Sequence, residues 1–449
     1  MGAKCKKLSK AFKRINNGEK YKYRYYGNNK KILLVEIKGE CNYKMESNIA
    51  KRIDKIILIA LVIFMLIPSE ISIFNISVLK IETILISIII VYLFFMKRES
   101  VKEAIKNKFI ICNFVFASSI ALSIIVNYES ILFNDLYEIV KYILYPMITL
   151  IVIVTCYNNE NYKFILKTIT ISMIVICTFG IIQYFNLFSI NELYIKQLAP
   201  TQYETLINNY PTPRIVGIKT NPATYGLLIA VGIYFNVICY SCTKKKLLPI
   251  ISAVLCLVNL MMTLTRTIQI AFIVSSVIYM AITILQRKGW KKSIIYTAIM
   301  ISLLILLILI LPEELTWRLK QVMDFQNASS WIGRIEKWND YVEIIKQNLL
   351  FGIGPVKNHV DKLGYIDSEL IQNFLQYGMI GFGAYIVMIL SPLYVLGKKK
   401  NKYMVKSFIP LLIMILINNI SSSSLILFDT ACAIYMFVGM ILIDKEELK

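Results

Sequence analysis

Charge is scarce in this chain: Asp, Glu, Lys and Arg make up 17% of 449 residues, against 57% hydrophobic. A water-soluble globule would lack the polar side chains to cover its surface, so that class is excluded. Histidine is nearly absent, and the single His359 rules out a multi-histidine metal site. The nine cysteines fall outside the connections assigned below to the outer face, so no extracellular disulfide is indicated. Cys239 and Cys242 form a C-x-x-C with no second pair and no histidine cluster, which leaves zinc and redox chemistry without support. There is no nucleotide-binding glycine loop, no G-x-S-x-G and no clear internal repeat, so ATP is not implied as a driving force.

What the chain does have is a series of long apolar runs. About 20 residues at roughly 1.5 Å each cross a hydrocarbon core near 30 Å. Spans are expected near 56–76, 79–96, 109–126, 139–156, 165–187, 224–241, 247–264, 267–285, 293–311, 371–396, 404–420 and 424–443. The expected fold is therefore an all-α polytopic membrane protein with about twelve transmembrane helices. The net charge of +22 sits in short clusters between these runs, a pattern of cytoplasmic loops and not of a nucleic-acid-binding face. Sixteen Lys or Arg against five acids in residues 1–55 place the N-terminus inside, as a basic segment facing anionic lipid, before a membrane domain over 56–449. Lys97–Lys108, Lys244–Lys246, Arg287–Lys292 and Lys398–Lys406 also fall inside, with the C-terminus; 157–164 is only weakly basic. No cleavable signal is expected before the first apolar run.

The two longest outer connections, 188–223 and 312–370, exceed what joining helices requires, and long loops on a rigid scaffold tend to carry sites. In the first, Pro211, Pro213, Gly217 and Pro222 make turns that hold Arg214 and Lys219 near the membrane surface. Arginine there suits phosphate, because its fork of donors meets two oxygens at once; snorkelling to lipid headgroups is the competing reading. Arg266 sits where two apolar runs meet at the outer surface, against the positive-inside tendency, at a cost of about 1–3 kcal/mol unless solvated or paired. In the second loop, Ile335, Trp338, Val342, Ile345 and Leu349 recur at helical spacing, so an amphipathic helix opening at Arg334 should lie on the membrane or cap the bundle. Gly352-Ile-Gly354-Pro355 then reverses the chain, and His359, Asp361, Asp367 and Glu369 follow before the next span. Gly378, Gly381 and Gly383 in that span read as residues for close helix packing. The last two spans are joined by a short outer turn at Ser421–Ser424.

Five motifs in order, R-I-V-G-I-K-T-N-P at 214–222, L-T-R-T at 264–267, G-R-I-E-K-W at 333–338, G-I-G-P at 352–355 and D-S-E-L-I-Q-N-F-L-Q-Y-G-M-I-G at 367–381, resemble the O-antigen ligase and Wzy-type polysaccharide polymerase superfamily. The resemblance covers roughly 205–395. It implies a multi-pass protein of the bacterial cytoplasmic membrane that works on an undecaprenyl-diphosphate-linked oligosaccharide, alongside a chain-length regulator and a flippase. A glycan chain would pass from that carrier to a lipid-linked repeat unit, with inversion at the anomeric carbon. Arg266, Arg214 and Arg334, with Lys219, would bind the diphosphate, and Asp367 or Glu369, with His359 behind them, would take the acceptor proton. No D-x-D pair occurs in the outer loops, so neither metal nor other cofactor is expected. Family ligases tend to show His-Asn where this chain has Asp367-Ser368, a departure that favours a polymerase over a ligase. A flippase for the same lipid-linked sugars is the alternative class, but transporters tend to place binding charges mid-membrane and to show related halves.

Overall fold

The computed structural model describes residues 49–66, 80–198, 203–204, 214–285, 329–355, 366–398 and 402–443. The expected span 293–311, the second half of 56–76, and His359 with Asp361 lie outside them. The chain divides into two compact units, and the elements below belong to the larger, Asp54–Lys449.

Its helices are α1 (54–66), α2 (Ile81–Met96), α3 (Arg98–Ile105), α4 (Lys108–Val126), α5 (Tyr137–Thr155), α6 (Asn159–Tyr184), α7 (Pro222–Cys242), α8 (Leu247–Met262), α9 (Arg266–Leu285), α10 (Ser329–Gln347), α11 (Glu369–Lys398), α12 (Lys402–Ser421) and α13 (Phe428–Leu442). No strand occurs among the described residues. Several starts are written in the sequence as asparagine caps. Asn107 accepts from Phe109 N at 3.0 Å, Asn158 from Asn161 N at 2.7 Å, and Asn221 from Ala223 N at 2.8 Å with Pro222 as the first helical residue.

By length and composition, α4, the run from Phe133 through α5, α6, α7, α9 and α11 can each cross a membrane. α2, α8, α13 and the Ser407–Ser421 part of α12 are shorter apolar helices. α6 starts before the expected 165, because Asn158 caps it, and the connection around Tyr157 shrinks to a short turn. α13 starts at Phe428 instead of 424, since 422–427 is irregular. α10 starts at Ser329, so Arg334 lies in its second turn and does not open it.

α4 packs against α5 and α11, α5 against α13, α7 against α6, α8 and α13, and α9 against α12. Lysines gather at one end of this bundle. Lys97 pairs with Asp54 at 2.7 Å, Lys55 with Glu160 at 2.5 Å, and Lys108 stacks 4.5 Å above the Tyr394 ring. The opposite end holds the polar segments described next.

α11 breaks at Gly378, which takes φ +62 and ψ −165, a conformation open only to glycine. Chain from the preceding turn fills the break. Met379 N donates to Leu349 O at 2.8 Å, Gly354 N to Gln376 O at 2.9 Å and Ile353 N to Leu375 O at 3.0 Å. From α4, Ser123 Oγ donates to Phe351 O at 2.6 Å and to Gln376 O at 2.8 Å, while Asn127 Nδ2 reaches Gly352 O at 3.0 Å. A Cβ on Gly378 would stand 2.4 Å from the Leu350 carbonyl. Helix packing is therefore not what this glycine serves, and Gly383 has no neighbour within 4 Å of its would-be Cβ. The break exists because two backbones share hydrogen bonds that a continuous helix would keep to itself.

Candidate functional site

The segment 214–221 is clamped from three sides. Gln183 Oε1, at the end of α6, accepts from Val216 N at 3.0 Å and Gly217 N at 2.7 Å. Gly217 takes φ +56, and a Cβ there would fall 2.2 Å from the Tyr225 ring, so the close approach of backbone to ring needs glycine. Ile215 N donates to Met262 O at 3.3 Å, which lays the segment along the α8–α9 turn. Arg214 then donates through Nε to Thr263 O at 3.2 Å and through Nη2 to Thr265 Oγ1 at 3.3 Å. The next residue is Arg266, the first of α9. The turn between is tight enough to hold buried Leu264 at φ +52, where an L side chain costs about 1–2 kcal/mol. Arg214 is thus held against the strained turn whose next residue is Arg266.

The second cluster joins α10 to the irregular segment 366–368 before α11. Arg334 Nε lies 2.9 Å from Asp367 Oδ2, with the two side chains 28% and 35% exposed. Tyr341, seven residues along α10 and so on the same face, is buried beside them. Burial pushes its phenol above the usual tyrosine range, and the carboxylates of Asp367 and Asp340 add to the rise.

Between the clusters runs the serine-rich turn after α12. Ser421 Oγ donates to Thr267 Oγ1 at 2.8 Å, one residue from Arg266. Glu369 N donates to Ser422 O at 3.2 Å and Ser368 Oγ to Asn419 O at 3.1 Å, two residues and one residue from Asp367. The fully buried Glu369 carboxylate accepts from Tyr385 Oη at 2.7 Å, Ser424 N at 2.5 Å and Leu425 N at 3.0 Å. Further along, Asp429 in the first turn of α13 lies 2.6 Å from Lys219 Nζ, which also donates to Met65 O at 2.9 Å. Burial pulls the Lys219 ammonium below the ordinary lysine range, and Asp429 opposes that pull. One segment, 419–429, therefore touches the arginine turn, the segment carrying Asp367 and the 214–221 loop.

Of the seven residues singled out in the sequence, the structure brings Arg214 to the turn carrying Arg266, and Arg334 to Asp367. Glu369 and Lys219 are engaged inside the protein and offer no group to solvent: they are 0% and 1% exposed. His359 lies outside the described residues. The residues that sequence reasoning passed over are Asn419, the serines of 421–424 and Asp429. A polar run of that length between two apolar helices was the available signal, since such groups are costly at membrane depth unless they serve one another.

Below this end lies a floor of rings. Phe116 packs edge-on against Tyr142 at 4.7 Å and Tyr377 at 5.8 Å, and is tilted against Tyr385 at 5.5 Å. Such contacts stiffen the base from which the Glu369 network rises.

These features define a helical membrane protein with arginines and a carboxylate gathered at one end of its bundle. Residues 251–386, just under a third of the chain, match the family model described as O-Antigen ligase. That match spans most of α8, all of α9 and α10, and the broken half of α11, and so includes Arg266, Arg334, Asp367 and Glu369. Over this stretch the chain is similar to that family of glycan transferases. No curated protein matches the chain.

Proposed function

We propose that the protein is a polysaccharide repeat-unit polymerase. It transfers a growing glycan from a polyprenyl-diphosphate carrier to a hydroxyl of a lipid-linked repeat unit on the outer face of the membrane, with inversion and without a metal. The observation that carries this reading is the meeting of Arg214 with the turn that delivers Arg266, on a stretch similar to the O-antigen ligase family.

As the acceptor oxygen bonds to the anomeric carbon, the bond from that carbon to the carrier diphosphate breaks, and negative charge grows on the departing phosphate oxygens. Arg266 and Arg214 are the cations for that charge, and loss of one donor preorganised for a developing charge costs on the order of 10²–10³ in rate. The acceptor proton goes to Asp367, the partly exposed carboxylate that Arg334 orients. Glu369 and Lys219 hold the surrounding segments in place and touch no substrate.

A ligase-like transfer of the glycan to a different lipid acceptor is the second reading, favoured by the description of the matched family. Against it stands Asp367-Ser368, where family ligases tend to show His-Asn. Purified protein supplied only with synthetic lipid-diphosphate repeat units separates the two. A polymerase lengthens them without a further acceptor, and a protein that leaves them unchanged until another lipid acceptor is added is a ligase. Arg266→Ala and Arg214→Ala should each abolish long polymer at normal membrane levels; long polymer surviving both changes rules out the arginine assignment.

A further inference from the structure

At the lysine-rich end, away from the site above, the structure has an open-sided cleft of about 550 Å³. Its size falls within the range of small-molecule and lipid sites. The walls are of two kinds. Lys106, Asn107 and Lys108, in and after the turn that follows α3, form a polar, cationic side. Val154 near the end of α5 and Leu442 at the end of α13 belong to an apolar side. Tyr394 joins the two: its hydroxyl accepts from Lys108 Nζ at 3.0 Å while its ring carries the ammonium above it. Glu103 is the one acid among the lining residues, opposed by two lysines. α3 itself is short and amphipathic, with Val101 and Ala104 buried and its charges turned outward.

A cleft that is cationic on one side and aliphatic on the other fits a molecule with an anionic head and a hydrocarbon chain. We infer that it is a site for one anionic phospholipid of the adjacent leaflet, its phosphodiester between Lys106 and Lys108 and an acyl chain against Val154 and Leu442. The charge complementarity is direct, because basic pockets between membrane helices select anionic headgroups. Free phosphate would satisfy the lysines and leave the apolar wall uncovered, so the chain is part of the recognition. The inference does not depend on which transfer reaction the opposite end performs.

Native mass spectrometry of the full-length protein in mild detergent tests it. The expected result is a retained phospholipid adduct. After delipidation, protein given mixed micelles should regain phosphatidylglycerol at least about tenfold more readily than phosphatidylcholine. Lys106→Gln, a change at an exposed residue, and Lys106→Gln/Lys108→Gln should each lower that preference, the double change removing it. Millimolar inorganic phosphate should fail to displace the lipid, whereas displacement would make the site one for a simple anion and overturn the lipid assignment. Equal uptake of the two lipids, or an unchanged preference in both variants, would overturn it as well.

Discussion

Glu369 and Tyr385 stand sixteen residues apart in α11, and the Tyr385 hydroxyl donates to the Glu369 carboxylate at 2.7 Å. In an unbroken helix that separation is about 24 Å along the axis, beyond the reach of two side chains. The contact therefore requires the turn at Gly378, and it fixes how far the first part of α11 folds back over the bundle. Asn419 Nδ2 donates to the same hydroxyl at 2.8 Å, so α12 is tied to the fold-back too.

Glu369→Gln should then act on stability first. The amide oxygen can still accept from Ser424 N and Leu425 N but without the charge that strengthens both bonds, and its NH2 group stands where the Tyr385 hydroxyl needs an acceptor; a buried donor left without a partner costs about 1–3 kcal/mol. A fall in the melting temperature of the detergent-solubilised protein, larger than that of Tyr385→Phe, is expected. A variant that melts like the parent yet makes no polymer would return Glu369 to the chemistry.

Gly378→Ala meets both a forbidden backbone conformation and a carbonyl 2.4 Å away. Strain of this kind costs about 1–3 kcal/mol before the clash is counted. Membrane levels and melting temperature should both drop, while Gly383→Ala, in open space, should leave both near the parent values.

Lys219 and Asp429 form a buried pair, so removing one partner strands the other charge. Lys219→Met and Asp429→Leu should each destabilise by about 3–5 kcal/mol, and the double variant should recover most of it. Thermal unfolding of the three proteins checks this. Additive losses would mean that the two side chains do not serve each other.

The Arg334–Asp367 pair is about a third exposed, and such pairs contribute at most about 1 kcal/mol to stability. Asp367→Asn should leave melting unchanged and lower the rate of chain extension about 10²–10⁴-fold, as loss of a general base does. The length distribution of surface glycan on a gel, at matched membrane levels, reports the result. A variant that extends chains normally removes Asp367 from the mechanism.

Helix positions were legible because apolar runs are local facts, whereas the exact starts of α4, α6 and α7 follow from caps at Asn107, Asn158 and Asn221 that the runs do not mark. Arg266 stood out for the same reason, as a charge at the junction of two apolar runs. The partnership of Arg214 with that junction was not legible. It depends on Gln183 and Met262 steering a loop whose sequence neighbours say nothing of them. The turn at Ser421–Ser424 was placed by the apolar runs on either side of it, but not its importance, which arises from what three other segments lay against it.

The sequence alone determined that this protein lives in a bilayer, because too few polar residues exist to face water and the backbone of each apolar run must satisfy itself as a helix. Tertiary structure decided which charged groups stay at the surface and which are locked away. Arg334 and Asp367 remain about a third exposed, while Glu369 and Lys219, of the same charge signs and only a few positions from Asp367 or from Arg214, are enclosed. The difference lies in whether a neighbouring segment arrives with N–H donors or a countercharge close enough to replace water, and no stretch of sequence carries that information by itself.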